Sequence, residues 1–516
     1  MLHRMALLLL LAHTTMAEDS WPMKGHDARR TGRAAVNGPR KGDHVWRHAA
    51  RDGVLINMEP TVTKQGVFFG TWGLIRRKGA VTADFEKADG KVLGLDLDGK
   101  PLWEPLLPAH TPFGYRFDAR PREPQDGPVP EPFHLNWYNG TVEGTAAVDP
   151  ENGRLYMGRG DGAVYCIDPG TGKVVWRYLT TDPANPDDPE GGGEVIGGPL
   201  IAGDSILFGT GACPPTPDPP KLVRHETNAV YAIDRDGKPL WRWPAKGGVE
   251  NAFIASLALS PDGKTVYAAG SLFDARKPTR IVALEVATGR EVWSRSLDKQ
   301  GSHDLAVGCD GVVYIAGMKA RFLGCLPIVL AVDGATGKTL WGPIEVDGPK
   351  AESHYAAGVA LHEEGGRVRD VWVSTSPLRE HNKGGGALHR LDPKTGKVVT
   401  TWRPDAATPS CVGGMTDVTL DAEGVVYVGV RGRAPWFLTK EVRGRMYALR
   451  PGNGSMEVLW SLELDHQTDW ASPAIGPDGG LYFGSSDTIG VAHILARGAD
   501  EDVKDADPVF YGVRDR

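Results

Sequence analysis

The sequence predicts an all-β fold, an eight-bladed β-propeller built from four-stranded antiparallel blades. Three observations predict it. A turn motif first met as "CIDPGTGKVVW" at 166–176 returns along most of the 516 residues. Each copy ends in a tryptophan, and eight such tryptophans can be counted: Trp46, Trp103, Trp176, Trp241, Trp293, Trp341, Trp402 and Trp460. The last copy lacks its tryptophan strand, while the first tryptophan strand has no copy in front of it. Repeats of this period mean solenoids or propellers before any single residue is considered.

Each repeat has two halves. The first is a short apolar strand, a tight turn and a second strand ending in an aromatic, as in "TAAVDPENGRLYMG" from 145, "LALSPDGKTVYAAG" from 257, "LAVGCDGVVYIAG" from 305 and "PAIGPDGGLYFG" from 473. The second half is a strand, the acidic Gly-rich turn and the tryptophan strand: "GLDLDGKPLW", "AIDRDGKPLW", "ALEVATGREVW", "AVDGATGKTLW", "RLDPKTGKVVTTW" and a loosened "ALRPGNGSMEVLW". Four antiparallel strands, A to D, make one blade. In the turn, the Asp caps and the Gly supplies the positive φ that a tight C–D connection needs. The tryptophan then packs on the next blade and donates its N–H across the gap. One tryptophan per blade at the same register reads as inter-blade structure rather than as a ligand cage.

Strands A, B and C of the last blade are expected within 472–496, and "GDHVWRHA" at 42–49 is expected to complete it. Ring closure of this kind removes exposed sheet edges. The domain reading is therefore a signal peptide at 1–17, a propeller over 18–496 with a loop insert at 104–144, and a tail at 497–516.

The gross numbers exclude several classes. A net charge of -7 and a pI near 6.1 offer no basic face for nucleic acid. "MLHRMALLLLLAHTTMA" reads as a secretory signal, its apolar core too short to span a bilayer. The expected location is periplasmic or secreted, with no transmembrane segment and a monomeric state. Five cysteines, Cys166, Cys213, Cys309, Cys325 and Cys411, form no CxxC or CxxCH motif and read as structural thiols.

The A-x-D-x-x-T-G-K-x-x-W turn resembles the tryptophan-docking repeat of pyrroloquinoline quinone (PQQ) type propellers, and "WPMKGHDARRTG" at 21–32 resembles the lead-in of their secreted members. Quinoprotein dehydrogenases and the outer-membrane assembly scaffolds of Gram-negative bacteria share that fold. The resemblance implies two alternatives. A catalytic member would hold PQQ and calcium and oxidise alcohols or sugars. A scaffold would hold no cofactor and bind partner proteins through loops. The adjacent cysteine pair of the dehydrogenases is absent here, and so is the lipid-anchor cysteine of the scaffolds.

Strand alternation puts the A–B and C–D turns at one end of the ring and the B–C and D–A loops at the other. The longer inserts fall on the second face: 104–144 and 177–196 between D and A, and 212–228, 271–279, 318–327, 376–386 and 431–444 between B and C. Variable loops on a rigid scaffold commonly carry binding. Insert 104–144 is rich in proline and contains Phe113, Tyr115, Phe117, Phe133, Trp137 and Tyr138, a lid or a partner-binding patch.

Residues at the starts of the A strands form a candidate ligand-binding set at the mouth of the funnel: Glu59, Glu143, Glu194, Glu250, His303, Asp304, His354, Asp417, Asp469 and Trp470. Clustered carboxylates repel unless a cation, an arginine or a ligand joins them. Glu143, Asn139, Asp304 and Asp417 have the hard oxygen donors that suit calcium. His303, His354 and His381 lack the GxSxG or HExxH context of a hydrolase. The functional expectation is a non-catalytic binding or scaffolding module whose long-loop face takes a protein partner or a small polar ligand. The alternative is the PQQ- and calcium-dependent dehydrogenase.

Overall fold

The computed structural model describes residues 20–50, 56, 58–71, 91–105, 144–159, 162–180, 195, 197–211, 228–246, 248–249, 252–272, 279–297, 300–321, 324–347, 354–377, 385–404, 414–432, 443–468, 472–486 and 508–516. Among these, the strands form eight antiparallel sheets, seven of four strands and one of three. The A strands of blades 1 to 8 are Thr61–Thr63, Ala147–Val148, Leu200–Ala202, Ala252–Leu259, Gln300–Val307, His354–Glu364, Thr419–Leu420 and Ala474–Ile475. The Val, Ile, Leu and Ala side chains between successive sheets are buried almost completely, so the core consists of the layers between blades.

Blade 1 is the three-stranded sheet. Its fourth position is marked by a single bridge between Leu95 and Pro101, because prolines at 101 and 105 deprive the segment around Trp103 of ladder donors. The hairpin of blade 5 also differs from expectation. Residues 318–327 were assigned to a loop, yet Val312–Arg321 pairs with Gly324–Asp333 out to Arg321 opposite Gly324. The insert is a prolonged β-ribbon.

Blade 8 closes the ring with Ala474–Ile475, Leu481–Ser485, Val509–Arg514 and His44–Ala49, in that order. Trp46 lies opposite Gly512. The closing role of the 42–49 strand stands, but the third strand is Val509–Arg514, inside the segment read as a tail. A long B–C connection had hidden a strand whose sequence, "VFYGVR", is strongly β-forming.

Seven of the eight tryptophans donate Nε1–H to a carbonyl in the C–D turn of the next blade, over 2.8–3.1 Å: Trp46 to Leu97, Trp103 to Pro169, Trp176 to Arg235, Trp241 to Val286, Trp293 to Gly334, Trp341 to Pro393 and Trp460 to Pro39. Trp103 lies flat on Gly172, whose φ is +68°, where a Cβ would come within 2.6 Å of the indole. Trp402 makes no such bond and packs edge-on against Tyr447. Its target turn is the loosened copy at 448–460, and Gly454 there has nothing above it.

The turn that receives Trp460 is assembled from both ends of the sequence. In the intact turn, Asp168 Oδ1 accepts from the N–H groups of Gly170 and Thr171, and Pro169 offers its carbonyl. In blade 8, Asp515 accepts from the N–H groups of Arg40 and Lys41, both at 2.7 Å, and of Gly42 at 2.9 Å. Pro39 offers the carbonyl, and Gly42, with φ +60°, lies under the Trp460 ring. Asp515, Pro39 and Gly42 therefore take the places of Asp168, Pro169 and Gly172, and Trp46 takes that of Trp176.

Residues 21–36 lie across the axis at the turn end of the channel. The carbonyls of Trp21, Pro22, Ala28, Arg29, Thr31 and Gly32 accept from Val62, Val148, Leu259, Val307, Leu361 and Leu420, on the A strands of blades 1, 2, 4, 5, 6 and 7. The lead-in is a hub that ties these blades together and floors the channel.

Candidate ligand site in the central channel

Three positions before each A-strand residue held by the hub stands one member of a single layer: Glu59, Thr145, Ser256, Asp304, Gly358 and Asp417. Gly198 and Ser472 hold the corresponding places in blades 3 and 8, two residues ahead of their A strands. In blades 4, 5 and 6 the A–B ladder slips at this level, between Ile254 and Ser256, Ser302 and Asp304, and Ala356 and Val359. Such bulges re-aim side chains near sites. Neighbouring members touch around the ring: Ser256 Oγ lies 3.3 Å from Asp304 Oδ1, and a Cβ on Gly358 would stand 2.5 Å from Asp417 Cγ.

Arg30 rises from the hub into this layer. Its side chain is 2 % exposed, and its φ of 56° lies in the left-handed region that a bulky residue enters only where the surroundings impose it. Nη1 reaches Asp304 Oδ1 at 3.5 Å and Ser256 Oγ at 3.4 Å, both long, and buried Nε has no partner. Burial lowers the guanidinium's pKa, against the fields of Asp304, Glu59 and Asp417 that favour its charge.

Glu59 is 5 % exposed and accepts on one oxygen from Trp21 Nε1 and, at 2.8 Å, from the Gly25 N–H. Burial pushes its carboxyl up to about 8, with the Trp21 bond, Lys24 and the Gly25 bond opposing and Asp417 adding to the rise. Asp417 is also raised, first by burial and then by Asp304, while Lys24, Ser472 and Arg30 pull it down. Carboxyls moved this way inside a channel mark a candidate functional site.

The structure thus brings Glu59, Asp304 and Asp417 together, inside the channel and with an arginine as counter-charge. Their ring position was legible, but their burial was not. Glu143, Asn139, Glu194, Glu250, Asp469 and Trp470 lie outside the described residues, as do most of insert 104–144 and residues 1–17. His303 sits in the A strand of blade 5 at the ladder slip. His354 stands four residues before Gly358 on its strand and belongs to a separate cluster. There Asp347, with a fully buried side chain, accepts from His354 Nδ1 at 3.1 Å, Thr375 Oγ1 at 2.7 Å, His389 Nε2 at 2.9 Å and Arg403 Nη2 at 2.8 Å. Burial alone would raise the Asp347 carboxyl, but the His354 and His389 hydrogen bonds outweigh it and hold the group far below the carboxylate range.

Sequence reasoning missed Arg30, Lys24 and Trp21 because they lie in the lead-in, outside the repeat, where no periodicity assigns a register. The signal was present: "WPMKGHDARRTG" is too polar for a core strand and too rich in aromatic and charged residues for a linker.

The resemblance raised PQQ and calcium, and the described residues do not fit them. Among the described residues no three His, Cys, Asp or Glu side chains lie close enough to hold a metal ion. Asp304 already faces Arg30, Glu59 already binds Trp21 and Gly25, and the Lys24 charge acts on both Glu59 and Asp417. Cys166, Cys309 and Cys325 are free thiols on separate blades. Among the described residues, no helix is long and apolar enough to cross a membrane.

Comparison with known proteins agrees with the fold. The chain is 24% identical over 309 residues to the polyvinylalcohol dehydrogenase of Sphingopyxis sp. (strain 113P3), covering 51% of this chain and 46% of that protein. It is 23% identical over 291 residues to the polyvinylalcohol dehydrogenase of Pseudomonas sp., covering 49% and 41%. The matches span less than half the length of these relatives. Among solved structures, the quinohemoprotein alcohol dehydrogenase of Comamonas testosteroni superposes with a TM-score of 0.59 at 14% identity, covering 98% of this chain and 82% of the other. A europium-containing methanol dehydrogenase gives the same score and identity over 98% and 99%. At this identity the superpositions establish a shared fold. The family model described as outer membrane protein assembly factor BamB matches residues 28–212, 118–368 and 279–475, and the chain belongs to that family of PQQ-type propellers.

Proposed function

We propose that the chain is an exported, non-catalytic binding or scaffolding propeller that engages a partner through its B–C and D–A loop face. The observation that carries this reading is the occupation of the channel by the chain's own groups. Asp304 and Glu59, which a catalytic member could commit to a metal, face Arg30, Trp21 and Gly25. The turn face is likewise committed to structure: its C–D turns receive the tryptophans, and its A strands grip residues 21–36. Partner recognition is therefore assigned to the opposite face.

A PQQ- and calcium-dependent alcohol dehydrogenase is the second reading, favoured by the names of the two polyvinylalcohol dehydrogenases and by the raised carboxyls of Glu59 and Asp417. One experiment separates the two. Purified protein is incubated with PQQ and calcium and assayed for bound quinone and for dye-linked oxidation of ethanol and polyvinyl alcohol. The scaffold reading expects neither stoichiometric quinone nor dye reduction, and turnover with either alcohol overturns it.

A further inference from the structure

Arg30 is the least satisfied buried charge in the channel layer. Of its five N–H donors, only Nη1 has contacts within the chain, at 3.4 and 3.5 Å, and Nε is buried without a partner. Burying a guanidinium is costly unless its donors are used. Here the Nε and Nη2 edge, the side-on fork that matches a carboxylate's two oxygens, has no acceptor from the protein. A second vacancy lies in the same layer: Thr145, 2 % exposed, has an unpartnered Oγ1. The hub holds Arg30 in its strained conformation, and Gly25 makes room for it, since a Cβ there would stand 3.0 Å from the Arg30 Cα.

The charges facing this edge are those of Lys24, Glu59, Asp304 and Asp417. Asp304 is satisfied on the Nη1 side. Glu59 is neutral at pH 7, so it does not repel an anion, and the Lys24 charge opposes that of Asp417. An added cation would meet Arg30 and Lys24, whereas one carboxylate would use the vacant donors.

We propose that this layer is a binding site for a small organic carboxylate, seated side-on against the Nε edge of Arg30 with the Thr145 hydroxyl beside it. The site goes beyond the loop-face reading and is independent of it. Occupancy leaves the scaffold's partner face untouched.

The test uses the full chain and succinate as probe, without PQQ or calcium, in isothermal titration and thermal melts at pH 6, 7.5 and 9, with inorganic phosphate in parallel. Succinate is expected to bind and raise the melting temperature. Arg30→Met is expected to weaken binding about 10- to 100-fold, the loss of charge-assisted hydrogen bonds. Thr145→Val, which keeps every charge, is expected to weaken it by about 3- to 10-fold. Affinity is expected to fall from pH 6 to 9, as Glu59 and Asp417 gain negative charge beside the ligand. If Arg30→Met does not fold, Thr145→Val and the pH series still decide. Absence of succinate binding, which a merely hydrated Arg30 edge would give, overturns the proposal. So does phosphate binding without succinate binding, or an affinity unchanged by both Thr145→Val and pH.

Discussion

Replacing Glu59 by glutamine tests the buried layer most directly. Glutamine has the same shape, and its carbonyl oxygen can still accept from Trp21 Nε1 and the Gly25 N–H, so the hub's anchorage is retained. What changes is the titration. A carboxyl near 4.5 in the unfolded chain and about 8 in the folded one keeps its proton in the native state over a range where the unfolded state has lost it. The parent's stability from this group is therefore fully present below about pH 4.5 and declines as pH rises through about 8, at about 1.4 kcal/mol per pH unit within that window. The whole interval corresponds to about 5 kcal/mol, and partial relaxation of the channel reduces the expected difference to about 3–5 kcal/mol. Urea denaturation of parent and Glu59→Gln at pH 4.5, 6, 7.5 and 9 measures it. The variant should match the parent at pH 4.5 and exceed it increasingly up to pH 9. Parallel stability curves for the two proteins would refute a buried, proton-holding Glu59.

Three further outcomes follow from other contacts. Trp341→Ala, which loses both a 9 %-exposed indole and the 2.8 Å bond to Pro393, should cost about 3–5 kcal/mol by denaturation. Trp402→Ala, lacking the inter-blade bond, should cost about 1–2 kcal/mol less, and equal losses would contradict the docking account. Asp515→Ala removes the acceptor for three N–H groups of the split turn and should cost about 1–2 kcal/mol, with faster hydrogen exchange at Arg40, Lys41 and Gly42; unchanged exchange there would contradict its capping role. Asp347→Asn should cost about 3–5 kcal/mol at pH 7 by leaving His354, His389 and Arg403 without their shared anion. Because the Asp347 carboxyl is depressed in the fold, its stabilisation is present above the unfolded value and lost as pH falls below about 4, so the two denaturation curves should converge there.

Much of this architecture was determined by the sequence itself. Local rules wrote the blades: a turn that needs Asp for capping and Gly for positive φ, followed by a tryptophan strand, recurs wherever a blade ends. Counting it fixed the number of blades and the closing role of Trp46. The layer positions of Glu59, Asp304 and Asp417 were legible for the same reason, since a repeat gives each residue a register. The tertiary structure decided what no register contains. Val509–Arg514 joined blade 8 because a sheet edge pairs with whichever strand the closed ring brings to it, however distant in sequence. The split turn of Asp515, Pro39 and Gly42 exists only once that pairing has formed. Trp402 has the motif's residue without its bond, because the bond belongs to a turn on another blade. Arg30 belongs to no repeat, and its place among three carboxyls follows from hydrogen bonds that carry residues 21–36 across the axis. Burial then set the charges: Glu59 and Asp417 are acids by sequence, and it is their desolvation inside the ring that makes them hold protons toward neutral pH.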